Sequence, residues 1–482
     1  MTITTEMRRA IHRYRPTLYN FPGMGRLTDI SIKRHWRQGA LAEPPPGSGL
    51  KAMHGDAGAP GLGMTLGFLR DAQGYAEEII ALHGPVTWSR SLGSTMVLAG
   101  GGDATQAVLT NKDKAYSQDG WAFFIKAFFN RGLMLLDFAE HLQHRRIMQH
   151  AFTRERLVGY LEGMDDVITG RVPSWPANDP SFQLYPAIKE MSLDVATVLF
   201  MAGEVGENAS LVSAFTDAVH AGSAIVRYPV PGLSWSRGLA GRRELETYFR
   251  AQLPAKRATD GADLFAALCH ARTDEGETFS DDDIVNHMIF LMMAAHDTSS
   301  ITTTAVAYYL AKNPEWQQRV RLECMHLRDR PVDIDSLGEL ASLDLVINES
   351  IRLESPVPAL VRRTVKDTDL MGYFVPAGTM VAVLPGVNHR MGEYWTDPDT
   401  FDPERFAAPR HEDKAHRYAY LPFGGGAHKC IGMHFGTLEV KTILVRLLTR
   451  YELEVPDGYE LRWDKSALWF PPDGFPLTLR PL

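Results

Sequence analysis

The sequence predicts a mainly α protein of the α+β kind, in which a large helical body carries small β-sheets. Three observations lead there. Apolar residues recur at helical spacing along many stretches, while strand-like runs are few and short. Helical and strand-like stretches do not alternate, which excludes a doubly wound or barrel chain. Residues 284–310 are apolar enough, and continuous enough, to form one very long central helix.

The elements follow in chain order. Residues 1–43 read as a basic N-terminal extension, with Arg8, Arg9, Arg13, Arg15, Arg26, Lys33, Arg34 and Arg37 against Glu6 and Asp29. Pro44-Pro45-Pro46-Gly47 closes it like a hinge. Residues 44–482 read as one domain, without internal repeat or low-complexity linker. Helices are expected over 69–82, 140–151, 154–172, 211–226, 242–253 and 432–450, and strands over 86–91, 95–98, 379–384 and 477–479. Residues 228–235 form an apolar, proline-punctuated loop between two helices, suited to a lid or to contact with lipid. In the central helix, Ser280 before three aspartates makes a good N-cap, and Asn313-Pro314 stops it. Asn286, His287, His296 and Asp297, followed by Thr298, Ser299, Ser300, Thr302, Thr303 and Thr304, are too polar for a bilayer span, so a soluble core is expected around it.

Composition bounds the function. Of 482 residues, 45% are hydrophobic and 22% charged, which excludes a disordered or collagen-like chain and leaves enough core to enclose a sizeable ligand. Lys+Arg 50 against Asp+Glu 58 gives a net charge of −8, which argues against nucleic acid as a partner. The three cysteines, Cys269, Cys324 and Cys430, form no CxxC pair, so neither a zinc cage nor a disulfide framework is expected. With no visible signal peptide, a cytoplasmic monomer is the expectation. The basic extension and the 228–235 loop are where it would touch an anionic membrane surface.

The chemistry concentrates in Phe423-Gly424-Gly425-Gly426-Ala427-His428-Lys429-Cys430-Ile431-Gly432, followed at once by a helical pattern. Glycines let the backbone turn tightly and approach a flat group. A cysteine just before a helix N-terminus is favoured as thiolate, and a lone thiolate suits an axial metal ligand. Phe423 would shield the sulfur, while Lys429 and His428 would supply positive charge. The bland reading is a Gly-rich turn with a buried cysteine. Two further signals are weak alone. Glu349-Ser350-Ile351-Arg352 places an acid and a base on one helix face. Asp297-Thr298 puts an acid and a hydroxyl inside an apolar helix, where Ser and Thr bond back to the i−4 carbonyl and open the helix locally. A surface pair and a kinked core helix are the respective bland readings.

The cysteine segment resembles the haem-binding loop of the cytochrome P450 superfamily, the haem-thiolate monooxygenases. Phe423, Gly426, His428, Cys430 and Gly432 match its Phe-x-x-Gly-x-basic-x-Cys-x-Gly pattern. The resemblance spans residues 44–482. It implies the cytochrome P450 fold, with helices and small sheets around a buried haem b, and makes Cys430 the iron ligand. His428, His141, Arg145 and Arg362 would serve the haem propionates. Glu349, Arg352 and Arg405 (in Pro403-Glu404-Arg405-Phe406) match the family's buried network and would hold the proximal side. Ala294-Ala295-His296-Asp297-Thr298 resembles the oxygen-activation motif, with Ala295 where Gly is usual. Thr298 would hold the oxygen and its water, and Asp297 would relay protons.

The resemblance further implies pocket walls at Trp121, Phe124, Phe290, Ala294, Ala295, Val357, Ala359, Leu360, Ala467 and Leu468. It implies insertion of one oxygen atom of O2 into a lipophilic small molecule of sterol, terpenoid, retinoid or fatty-acid type. No flavin domain is expected after Cys430, so electrons would come from a ferredoxin with its reductase, docking near Arg146, Lys429 and Lys441. The alternatives are a partner-independent isomerase, dehydratase or peroxygenase, a haem-containing ligand-binding protein, or a non-haem carrier. Asp297-Thr298 argues against the first.

Overall fold

The computed structural model describes residues 38–482 except 92, 205–208, 223, 225, 260 and 466–468. The chain opens with strands β1 (Gln38–Ala40) and β2 (His54–Asp56) and helices α1 (Thr65–Arg70) and α2 (Ala72–His83). The hairpin β3 (Val86–Ser91) and β4 (Ser94–Ala99) leads to α3 (Gly102–Thr110), β5 (Tyr116–Ser117) and α4 (Asp119–Ile125). Helices then dominate: α5 (Phe138–Gln149), α6 (Arg154–Arg171), α7 (Leu184–Met201), α8 (Ala209–Ala221), α9 (Ser234–Ala258), α10 (Leu264–His270), the central α11 (Asp281–Lys312), α12 (Pro314–Cys324), α13 (Ile334–Gly338) and α14 (Ala341–Leu353). Strands β6 (Leu360–Thr364), β7 (Thr368–Leu370), β8 (Tyr373–Val375) and β9 (Met380–Val383) precede α15 (Pro385–Asn388) and α16 (Met433–Leu448). The chain closes with β10 (Tyr451–Glu454) and β11 (Thr478–Pro481).

One mixed sheet has the order β1-β2-β3-β4-β9-β6-β5, and β7–β8 and β10–β11 form two-stranded sheets. In it β9 lies parallel to β4 and antiparallel to β6, with Arg362 opposite Val381. The main core is helical. Central helix α11 packs against α7, α9, α14 and α16, so its apolar residues meet other helices on most sides. Ser280 caps it by accepting from the Asp283 amide at 3.1 Å, and three first-turn aspartates face its positive end.

Several expected boundaries move. Residues 69–82 are not one helix: Asp71 adopts φ −156°, ψ 92° and caps α2 by accepting from Gly74 N at 3.0 Å. The helix expected over 211–226 ends at Ala221, ahead of Gly222. That expected over 242–253 extends over Ser234–Ala258, and Pro254 lies in its closing turns. The last strand shifts to Thr478–Pro481. Gln38–Ala40, inside the expected extension, already pairs with β2, so the proline run lies between two strands of the sheet. Residues 1–37 lie outside the described residues. Among the described residues no helix is long and apolar enough to cross a membrane.

Two histidines are wholly buried in this framework. His287 on α11 lies 2.9 Å (Nε2) from Nδ1 of His144 on α5. His389, just after α15, accepts from the Leu421 amide at 2.9 Å. Burial pushes both imidazoles down to about 3. The unfolded chain binds protons on both below its ordinary value of about 6.5, whereas the fold does not. Stability is therefore lost as pH falls through that value, by about 2 kcal/mol per histidine at pH 5. Urea unfolding at pH 7 and pH 5 should show a lower midpoint at pH 5, with extra proton uptake on unfolding.

Candidate functional site

Cys430 sits where the 423–432 loop turns into α16. Its amide donates to the Phe423 carbonyl at 2.9 Å, closing the loop on itself. Gly426 has φ +67°, and a Cβ there would lie 2.0 Å from the Leu109 carbonyl oxygen, so only glycine lets the loop rest on the end of α3. The Cys430 side chain is accessible. Burial pushes its thiol up, against the Gly432 amide, Arg145 and Lys429, which pull it down. The α16 dipole acts in the same direction as that amide.

Four nitrogen-bearing side chains converge beside the loop. His141 and Arg145 stand one turn apart on α5, Arg362 comes from β6, and His428 from the loop. The His141 and His428 rings stack with centroids 3.7 Å apart. Burial pushes His141 to about 4 and His428 to about 2, helped by the neighbouring Arg145 and Arg362. His428 therefore does not supply the positive charge expected of it. At neutral pH it is an uncharged hydrogen-bonding imidazole, and the charge comes from the two arginines. Burial lowers Arg362 to about 10, so it stays charged. Among the described residues it makes one hydrogen bond, to the Val361 carbonyl at 3.0 Å, and no ion pair. Its backbone is pinned from α4, where a Cβ on Gly120 would lie 2.5 Å from the Arg362 carbonyl oxygen.

Central helix α11 is buried almost throughout, but Met293, Ala294, Ala295 and Thr298 keep partial exposure. Ala294, Ala295 and Thr298 share one small-residue face, with Met293 to its side. Thr298 Oγ1 donates to the Ala294 carbonyl at 2.9 Å, and Ser300, Thr302 and Thr303 bond back in the same way. The helix nevertheless runs unbroken, contrary to the expected local opening. The hydroxyls satisfy carbonyls without displacing the backbone ladder. Asp297 turns the other way, to Lys189 Nζ of α7 at 2.7 Å. Burial would raise this carboxyl, but His296 and Lys189 hold it at about 2. His296 is itself pushed down to about 4 by burial, so at neutral pH Lys189 is the effective partner. Lys189 was not singled out in the sequence, although a lone lysine on the apolar face of α7 was a usable signal.

Glu349, Arg352 and Arg405 meet in the dry interior. Glu349 Oε2 and Oε1 accept from Arg352 Nε and Nη2 at 2.7 and 2.8 Å, and Oε1 also accepts from Arg405 Nε at 3.0 Å and the Asp402 amide at 2.9 Å. Arg352 donates onward to the His389 and Pro398 carbonyls at 2.8 and 2.6 Å, and Arg405 to Glu412 at 2.7 Å. All three side chains are fully buried.

The remaining expected residues divide. Trp121, Phe124, Val357, Ala359, Leu360 and Phe423 are half-buried, as a recess lining requires. Phe290 is buried in the core, its ring against Gly132, because the chain after α4 crosses the central helix there. Ala467 and Leu468 lie outside the described residues. Arg146 and Lys429 are exposed. Lys441 is not: it is buried, donating to the Leu337 carbonyl at 2.7 Å and pairing with Asp344 at 2.7 Å, so it cannot greet a partner. Two open surface grooves, of about 450 and 760 Å³, contain none of Cys430, Thr298 or Arg362.

These residues fit a haem. A buried guanidinium with unused donors, a second arginine and two imidazoles, with no carboxylate in ion-pair contact among the described residues, require an anionic group. An accessible thiol and an accessible small-residue stretch of the central helix suit a flat macrocycle held through sulfur.

Comparisons agree with this geometry. A family model described as "Cytochrome P450" matches residues 244–479. The chain is 53% identical over 479 residues to "Putative cytochrome P450 136" of Mycobacterium tuberculosis, covering 98% of this chain and 97% of that protein. It is 26% identical to the sterol 14alpha-demethylase of Mycolicibacterium vanbaalenii, covering 82% of this chain and 90% of that protein. Its fold is similar to that of the retinoic acid-bound cyanobacterial CYP120A1, with TM-score 0.80 at 25% identity, over 88% of this chain and 98% of that one.

Neutralising Glu349 leaves two guanidiniums underpaired in the dry interior. Glu349→Gln should cost on the order of 3–5 kcal/mol. Urea denaturation should show this as a lower midpoint at unchanged slope.

Proposed function

The chain belongs to the cytochrome P450 family of haem-thiolate monooxygenases, which hold haem b, and on that premise we propose that it oxidises a lipophilic small molecule of sterol, terpenoid, retinoid or fatty-acid type. The carrying observation is the partly accessible middle of the central helix, Met293 to Ala295 with Thr298, together with half-buried aromatic and aliphatic side chains at the expected wall positions. It is apolar apart from one hydroxyl, which suits a substrate with few polar groups. Retinoic acid in one structural relative and the sterol named for another relative support the same class.

Bound haem supplies the activation of dioxygen; the chain's residues hold, shield and feed that chemistry. Cys430 would hold the haem iron through its sulfur, the Gly432 amide and the α16 dipole favouring the thiolate against burial. Arg362 and Arg145 would bring positive charge to the haem propionates, and His141 and His428 would bring hydrogen-bond donors. Thr298 presents a hydroxyl that can leave the Ala294 carbonyl for a guest. Asp297 and Lys189 keep a proton-bearing pair one residue away. An accessible alcohol with a buried acid next to it in the helix fits a monooxygenase fed by a ferredoxin-type donor at Arg146 and Lys429. The exposed run Tyr228 to Leu233, without a charged side chain, suits peripheral contact of a cytoplasmic enzyme with a membrane.

Two measurements test this. Cys430→Ser should lose the thiolate-type Soret band of the reduced, carbon monoxide-bound protein; its retention would exclude Cys430 as the ligand. Thr298→Ala, with surrogate ferredoxin and reductase, should keep haem and raise peroxide released per NADPH roughly fivefold or more. An unchanged ratio would remove Thr298 from proton delivery.

A further inference from the structure

The larger of the two surface grooves, about 760 Å³, is built by three elements: the chain after α4, the middle of α9 and the first turns of α11. Its lining carries five cations, Lys126, Arg131, Arg242, Arg243 and Arg250, against three acids, Glu246, Asp282 and Asp283. The groove is therefore net positive by two (5 − 3) in a chain of net charge −8. Two of the cations already engage all three acids. Asp283 meets Arg131 at 2.8 Å, Asp282 meets Arg250 at 2.7 Å, and Glu246 meets Arg250 at 2.9 Å. Lys126 and Arg243 are exposed, and among the described residues neither has an ion pair.

Arg242 differs from the other four. It is only 9% exposed, yet it is loosely paired. Its Nε stands 3.8 Å from Glu246, beyond hydrogen-bond reach, and that carboxylate's shorter contact goes to Arg250. A guanidinium has five N–H donors, and two of them are spent here. Nη1 donates to the Phe128 carbonyl at 3.3 Å and Nη2 to the Asn286 side-chain oxygen at 2.5 Å. Asn286 is held in turn by donating to the Asp282 carbonyl at 2.7 Å. The fork is thus fixed from two sides, by the chain after α4 and by α11. Its three remaining donors stand in the wall of an open groove. A buried cation in that state is costly unless an acceptor completes it.

The donor set selects the acceptor. A fixed guanidinium fork fits the oxygens of a carboxylate or a phosphate, and two further unpaired cations in the same groove favour the dianion. The volume is that of a site for a whole organic molecule, so the anion would be one end of a larger body. We propose that this groove binds a phosphate monoester, with the Arg242 fork on the phosphate oxygens and Lys126 and Arg243 balancing its charge. A soluble phosphate ester and the headgroup of an anionic lipid share that chemistry. The exposed run Tyr228 to Leu233 ends where α9 begins, and Arg242 lies about 12 Å further along that helix, within reach of a headgroup whose chains meet the run.

The test uses the purified haem-loaded enzyme and two probes that carry the same group. Calorimetric titration with sn-glycerol 3-phosphate reads the soluble source. Sedimentation with phosphatidylcholine vesicles containing phosphatidic acid, against vesicles of phosphatidylcholine alone, reads the lipid. Wild type should bind at least one probe saturably, glycerol 3-phosphate with a Kd of about 1 mM or tighter. Lys126→Gln combined with Arg243→Gln changes two exposed side chains and should weaken that binding about tenfold or more. Lys366→Gln, which removes an exposed cation outside the groove, should leave it unchanged. Arg242→Lys keeps a cation and loses the fork, and should weaken binding to a similar degree; the double variant carries the test if this one does not fold. Binding of the ester alone assigns the groove to soluble ligands and binding of the vesicles alone to a lipid headgroup, and either upholds the phosphate site. No saturable binding of either probe by wild type, full retention in the double variant, or equal weakening by Lys366→Gln would overturn it.

Discussion

Glu349 holds two guanidiniums where no water reaches, and the geometry on the proximal side hangs from that carboxylate. Arg352, once fixed by it, donates to the His389 carbonyl, and His389 accepts from the Leu421 amide at 2.9 Å. Leu421 stands two residues before Phe423, whose carbonyl receives the Cys430 amide. A chain of four short polar contacts therefore runs from α14 to the thiol. Each link is cheap only while its neighbours are paired, because a buried unpaired charge or amide costs far more than the bond itself contributes. The network stabilises little in total. Its effect is to permit one arrangement of the cysteine loop and penalise the others.

The electrostatics divide in the same way between the two sides. Near the thiol, Arg145 and Arg362 stand beside neutral imidazoles with no carboxylate in ion-pair contact among the described residues, so this side favours anions. Across the central helix, Asp297 and Lys189 form a closed pair, neutral as a unit. Thr298 lies between the two regimes, on the accessible face, with a hydroxyl already bonded to a carbonyl. That helix separates a charged compartment from a compensated one, and midway along it Met293, Ala294, Ala295 and Thr298 are partly exposed.

Much of this was legible in the sequence, for physical reasons that differ by element. The central helix was readable because its cap, first-turn acids and terminating Asn-Pro are local chemistry. The cysteine loop was readable because its glycines and its cysteine serve one backbone path, as Gly426 against Leu109 shows. Helix breaks were less so: Asp71 caps a second helix inside what periodicity alone joins into one. Charge states were not legible, since the neutrality of His428 depends on His141 stacking upon it from another helix. Nor were long-range partners. Lys441 looks like a surface cation in the sequence, and only the fold brings the Leu337 carbonyl and Asp344 to it.

The exposure of Gly426, Ala427 and Lys429, immediately before the thiol, has a kinetic meaning. Electron tunnelling weakens steeply with every bond and gap between donor and acceptor. A sulfur reached through a few backbone atoms from solvent offers a short covalent path. The proposed electron transfer would thus cross a thin cover of backbone rather than a packed layer of side chains.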